Sequence, residues 1–386
     1  MRHASWILLA ALAACLIFAG LGEAGKPDKG GKPDGGGGDS GLSYQIVALD
    51  DAGGMVCDGV GEDVNNLGLV VGSVRDAITD SPYAACWILG ESNGEVDSTL
   101  TLLSGGTGAN GVNEDGEIVG EGVEFAGTDV EYLGLYWPAP GAEPVELDPL
   151  AGHDVSVPYA INDDGVICGV SAVVGGPWTS RRAVAWRVTW VDGAAEVFGP
   201  VELPGGLEGA QGVAITNNDG SGVAEIVGYG WGPNASASEA VVWQVVSGPN
   251  GTLTALPLPE LLAVDAEAYG INSAGSVCGQ VDNEAIVWSP DETTVLERPT
   301  KGKNSVALTH ALDINDAGLV VGIGGPGIID SRAVFWGSAN AKMVYLDSFL
   351  DADSQLAGLS QANAANEHGD IVGEAWNGAF LAVPLP

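Results

Sequence analysis

Apolar and polar positions along the chain follow one pattern that returns seven times: a short strand-like run, a polar turn holding Asn and Gly, then a second apolar run ending in Gly. The copies read "DVNNLGLVVG" from 63, "GVNEDGEIVG" from 111, "AINDDGVICG" from 160, an interrupted "ITNNDGSGVAEIVG" from 215, "GINSAGSVCG" from 270, "DINDAGLVVG" from 313 and "AANEHGDIVG" from 364. The shared Asn is read at 65, 113, 162, 217, 272, 315 and 366, a spacing of about 50 residues that belongs to repeat architectures. The turn chemistry explains both residues: Asn caps the backbone of a type I turn, and Gly takes the left-handed position after it at little cost.

A second element follows the first six copies, a small residue two places before an apolar one and then Trp, at Trp87, Trp137, Trp186, Trp243, Trp288 and Trp336; Ala382 takes that place in the seventh. A further apolar strand comes after, such as "TLTLL" at 99–103 or "KMVYLDSFL" at 342–350. Four short strands per copy cannot bury their faces alone, so the units must pack on one another, and a β-propeller suits them. The pattern predicts an all-β, seven-bladed β-propeller of four-stranded blades over 44–386. The last copy lacks an outer strand, and "YQIVAL" at 44–49 stands alone before the first, so that N-terminal strand is expected to complete the last blade and close the ring.

A calcium loop would need oxygen ligands at alternate positions of the turn. No copy supplies all three: Asp63, Asn65 and Leu67 in the first and Asp313, Asn315 and Ala317 in the sixth are typical. Cys168 and Cys278 replace the second Val in copies three and five and read as buried free thiols. Cys57 and Cys86 fall on strands two apart in the first unit, beyond ordinary disulfide reach.

The combination Asn-x-x-Gly-x-Val-Val-Gly, then Ala-x-x-Trp, then an apolar strand resembles the HAF-repeat proteins, a group of probable extracellular bacterial repeats. The resemblance covers about residues 44–386. The His-Ala-Phe triplet of that family is absent; Tyr83, Leu133, Arg182, Glu239, Glu284, Arg332 and Gly378 stand before the small residue. The resemblance implies export and a repeat architecture and carries no activity with it.

The N-terminus agrees with export. Arg2 precedes an apolar run from Trp6 to Gly22 and small residues at Gly22-Glu23-Ala24, which reads as a signal peptide over 1–24. Leu12-Ala13-Ala14-Cys15 resembles a lipoprotein box, but the apolar run continues past it, and an uncleaved anchor is less expected because the run is shorter than the ~20 residues a spanning helix needs. Residues 25–43, with "GKPD" twice and no large apolar residue before Leu42, read as a flexible linker. With 13 basic against 51 acidic residues and a net charge of -38, nucleic acid and anionic membrane surfaces are excluded as partners. The mature domain is expected to be monomeric, secreted or at the cell surface, and not inserted in a membrane.

Candidate chemistry is sparse. His3, His153, His310 and His368 have no metal-ligand spacing, and neither a nucleophile elbow nor a phosphate-cradling loop is present. No catalytic, cofactor or metal residue is assigned. Three Trp lie outside the repeat positions, in loops expected on one face: Trp178, Trp231 and Trp376, the last two each three residues past the final Gly of their copy. With Arg181 and Arg182, rare cations in so acidic a chain, they are the candidate ligand-binding residues. Such rings stack on sugars or anchor a protein partner. A binding module for a glycan or protein is therefore the expected function, ahead of a polysaccharide hydrolase or lyase using channel carboxylates and a calcium-binding adhesion propeller.

Overall fold

The computed structural model describes residues 42–386 apart from 93–94, 127–128, 218–219, 233–235, 258–259, 301–304 and 328–329. The signal expected over 1–24 and all but the last two residues of the linker expected over 25–43 lie outside the described residues. No described helix is long and apolar enough to cross a membrane.

The protein is all-β with propeller-like sheets. Unit one comprises Val56–Val64, Leu69–Asp76, Pro82–Ser92 and Glu95–Leu102, and the same antiparallel meander recurs in units two (106–147), three (155–202), four (208–264), five (266–295) and six (308–345). Leu359–Ala365, Ile371–Ala375 and Gly378–Pro384 form unit seven, and Tyr44–Ala48 pairs antiparallel with Gly378–Pro384 as its outer strand. Units seven and one share an eight-stranded sheet through the pair Val60 and Glu374, and units two and three share another through Val155 and Tyr132. Unit four carries one strand more than the sequence predicts, Glu260–Val264, which pairs with Ser238–Ser247 beside Leu253–Ala255.

The core sits between units. Seven clusters of buried apolar residues each join two successive units, and one of them joins Val372 and Leu381 of unit seven to Val70 and Trp87 of unit one. The repeat Trp residues are buried, and five indole N–H groups donate to a backbone carbonyl, from Trp87 to Asp50, Trp137 to Ser104, Trp186 to Asp148, Trp243 to Pro204 and Trp336 to Glu297. Large apolar area is thus buried with its polar atom satisfied.

The turn chemistry expected from sequence is present, with Gly68 at φ 76° and Gly318 at φ 80°. Asn65 Oδ1 accepts from the N–H groups of Leu67 and Leu69, and Asn315 Oδ1 from that of Leu319. The other end of each amide does something the sequence does not show: it ties its unit to the next. Nδ2 of Asn65 donates to the carbonyl of Asn113, Asn113 to Asn162, Asn162 to Thr216, Asn272 to Asn315, Asn315 to Asn366, and Asn366 back to Asn65. A second tier uses the following residue, whose N–H is capped by the next unit's side chain: Asn66 by Glu114, Glu114 by Asp163, Asp163 by Asn217, Ser273 by Asp316, Asp316 by Glu367 and Glu367 by Asn66.

These bonds correct the alignment of the fourth copy. Thr216, not Asn217, holds the repeat position; its N–H donates to Glu225 and its Oγ1 accepts from the Glu225 N–H, the role of Asn Oδ1 elsewhere. Thr lacks the separate amide arm that reaches the next unit, and among the described residues neither tier continues from unit four to unit five. A cavity of about 590 Å³ lies at that junction, lined by Glu225, Gln244, Glu260, Ser273 and Trp288 among others.

The buried free thiols expected at Cys168 and Cys278 are found, Cys86 is likewise buried and free, and Cys57 is free and partly exposed.

Candidate functional site

A register shift interrupts the pairing of the first two strands at the same place in every unit: 61/63, 109/111, 158/160, 212/214, 268/270, 311/313 and 362/364. Each is a β-bulge, an extra residue that leaves the ladder and re-aims its side chain. The bulge also explains the Gly that ends each second apolar run. A Cβ on Gly72 would lie 1.9 Å from the Val60 carbonyl oxygen, and one on Gly322 2.0 Å from that of His310, so only Gly admits the displaced backbone.

The bulged residues are Glu62, Asn110, Tyr159, Val213, Tyr269, Leu312 and Asn363, one per unit, and all seven line a single cavity of about 320 Å³. Asp63 and Asp313 lie in the same wall. Asn110 Nδ2 donates to the Pro158 carbonyl, and Asn363 Nδ2 to the Gly61 carbonyl and to Glu62 Oε2. The wall therefore presents amides, phenols and carboxylates held by their neighbours.

Enclosure raises the carboxyl pKa values. Desolvation pushes Asp63 up to about 6 against two backbone N–H bonds, from Val112 and Val64, that favour the charged form. It pushes Asp313 up to about 7, with the Ala365 N–H opposing and the Asp63 charge adding. Both residues bond the backbone of the next unit, so each serves as an inter-unit tie as well as a charge in the cavity wall.

An aromatic row leads from solvent to this cavity. Trp178, half exposed on the turn Trp178–Ser180, meets Trp231 edge to face at 4.8 Å; Trp231 meets Tyr229 at 5.8 Å, Tyr229 meets Tyr269 at 6.0 Å, and Tyr269 stacks on His310 at 6.2 Å. The row crosses units three to six. Gly209, at φ +61°, makes room for it: a Cβ there would lie 2.4 Å from the Trp178 ring and 3.3 Å from that of Trp231.

Hydrogen bonds fix the inner members. Gln211 Nε2 donates to the Tyr229 hydroxyl at 2.5 Å, and the Tyr269 hydroxyl donates to Glu267. Burial raises both phenol pKa values and the Glu267 charge adds to each; the Arg181 charge opposes this at Tyr229. Burial lowers His310 to about 4, so its ring is neutral at pH 7.

The structure thus brings Trp178, Trp231 and Arg181 together. Arg182 is occupied otherwise: its Nη1 donates to the carbonyls of Thr179 and Arg181, and its Nε lies 3.5 Å from Glu202 Oε1. Trp376 is also half exposed, but it packs on Gly358 in unit seven, with no ring contact to the other two among the described residues. The sequence reading missed Tyr229, on the second strand of unit four, and the bulge residues, Tyr269 among them; the signal of the bulge residues is positional, three places before the repeat Asn or Thr. Among the described residues no group of three or more His, Cys, Asp or Glu is placed to hold a metal ion.

No known protein-family model matches this chain, and no curated protein matches it either.

Proposed function

We propose that the seven units close into a seven-bladed β-propeller and that the protein is an exported, monomeric module that binds a neutral or cationic glycan at the mouth of its channel. Ring closure is supported by the Asn366 bond to Asn65, the core cluster between units seven and one, and the cavity lined by one bulge residue from every unit. Export is supported by the apolar run from Trp6 to Gly22 and by the likeness of the repeats to HAF-repeat proteins.

The glycan reading rests on the row from Trp178 to Tyr269, which offers π-faces at the surface and hydroxyl, amide and carboxylate groups where it reaches the cavity. Sugars have apolar C–H faces and polar rims, and this pairing of surfaces suits both. Glu62, Asp63 and Asp313 in the wall, with the net charge of -38, disfavour an acidic glycan. Purified protein applied to a glycan array should retain neutral or amino-sugar oligomers, and Trp178→Ala or Trp231→Ala should weaken binding at least tenfold. No retained glycan, or retention untouched by both changes, removes this reading.

A second reading has one observation in its favour: Asp63 and Asp313 share a cavity, and their raised pKa values suit proton transfer near neutral pH. A polysaccharide hydrolase or lyase built on them would release reducing ends or unsaturated products from the bound glycan. Asp313→Asn would abolish that turnover while leaving binding in place.

A further inference from the structure

On the side of the ring formed by units one to three lies a separate cavity of about 450 Å³. Its wall is largely apolar, from Pro82, Leu103, Val123, Leu133 and Val157, with Tyr132 beside them. One acidic residue, Glu121, is part of that wall. Glu121 Oε2 is shut off from solvent and has no hydrogen-bond partner. A buried oxygen left in that state costs on the order of 1–3 kcal/mol, and native structures seldom leave one without a reason.

The only cation in this wall is already engaged. Arg75 Nη1 donates to the Asp80 carbonyl at 3.0 Å and lies 3.3 Å from Asp80 Oδ1. The carboxylate that carries the unpartnered oxygen therefore lines a pocket of largely apolar surface, in a chain whose overall field draws cations inward.

We propose that this cavity binds a small primary amine with an aromatic or branched aliphatic body, its ammonium group donating to Glu121. The amine supplies the missing donor, its charge answers the carboxylate, and its body covers the apolar wall. The cavity is within the size range of small-molecule sites. Besides Arg75, the titratable side chains that share this wall with Glu121 are Tyr83 and Tyr132; the Tyr132 phenol is raised by desolvation and by the Glu121 charge, so it stays protonated at neutral pH. Burial raises Glu121 itself to about 7. An ammonium ligand holds it ionised, so binding near pH 7 releases protons, and affinity falls as the pH is lowered from 8 to 6.

The test uses the whole folded protein with phenethylamine and tryptamine as probes and 2-phenylethanol as the uncharged comparator, by calorimetry in two buffers of different ionisation enthalpy. Saturable amine binding is expected, at least tenfold tighter than the alcohol, with proton release at pH 7. Glu121→Gln should lose at least tenfold and the proton release, while Trp178→Ala, in the glycan site, should leave amine binding unchanged. Absence of saturation at millimolar amine, equal binding of amine and alcohol, or equal affinity in Glu121→Gln overturns the proposal. Thermal midpoints of each variant establish that it is folded, and the comparison of amine with alcohol decides the matter in the unmodified protein.

Discussion

Replacing Asn315 by Asp separates the two tasks of the repeat amide. The carboxylate keeps an oxygen for the Leu319 N–H, 2.9 Å away, but it puts a second oxygen where Nδ2 donated to the Asn366 carbonyl at 2.8 Å. The site is 4% exposed, so water does not replace the lost donor. One hydrogen bond contributes about 1 kcal/mol and a buried acceptor left unpaired costs about 1–3 kcal/mol, so Asn315→Asp should destabilise by roughly 2–3 kcal/mol at pH 7. Asn315→Ala, which also uncaps the turn, should lose about 1 kcal/mol more. Asn315→Thr copies the arrangement of unit four and should fall between Asp and the parent.

The Asp variant has a pH signature. Burial, the facing carbonyl and the nearby Asp316 and Glu367 all raise its folded pKa above the unfolded value near 3.9. Well below pH 4 the carboxyl is neutral in both states and its O–H can donate to Asn366, so the deficit is small. It grows as the pH rises past 4 and is complete above the folded pKa. Urea denaturation of parent and variants from pH 4 to 8 measures this. A deficit under about 0.5 kcal/mol at pH 7, or one that is flat across that range, would refute the idea that the amide donors hold successive units together.

Because Asp63 and Asp313 are raised to about 6 and 7, the folded protein takes up protons from them before the unfolded chain does. Their contribution to stability therefore increases as the pH falls from about 7 to 4, and Asp313→Asn, compared with the parent by denaturation across that window, should flatten the curve. Glu117 accepts from the Tyr136 hydroxyl at 2.6 Å, the Trp190 indole at 2.9 Å and Asn113 Nδ2 at 2.8 Å; Glu117→Ala should cost about 3 kcal/mol or more in urea titration, and Glu117→Gln distinctly less. Gly209→Val forces a branched residue to φ +61° and into the Trp178 ring, so Trp emission should shift and glycan retention should drop at least tenfold. Tyr44 meets Phe335 at 5.2 Å and Phe349 at 5.8 Å; Tyr44→Ala should cost about 3 kcal/mol and speed amide exchange throughout Gly378–Pro384.

The strands, the turns and the pairing of Tyr44–Ala48 with the last strand were legible because each rests on local chemistry repeated along the chain. Asn and Gly announce the turn, and a segment without a neighbour pairs with a unit lacking one. Unit four was misread for an equally local reason: "TNNDG" offers two Asn, and its turn runs from Thr216 to Glu225, whereas in the sixth copy the span from Asn315 closes at Leu319. A hydroxyl can cap as an amide does, so residue type alone chose wrongly. The ties between units were hidden because Nδ2 finds its acceptor about 50 residues away. The cavity residues were hidden differently. Their place is fixed by the bulge, but Glu62, Tyr159 and Leu312 share no chemistry, so comparing copies for likeness passes over them. Trp178 and Trp231 meet because successive units set their loops side by side, whereas Trp376 sits in unit seven and has no ring partner among the described residues.

The pairing of Tyr44–Ala48 with Gly378–Pro384 has a consequence for synthesis. Within this domain the earliest strand to be made waits for the latest, so its edge stays open to wrong partners while the units between them are synthesised. Once paired, the two ends of the domain lie side by side, Leu385 donating to the Ser43 carbonyl at 2.8 Å. Joining them through a short linker and reopening the chain in a surface turn should give a permuted protein whose nascent edge has a neighbour from the start.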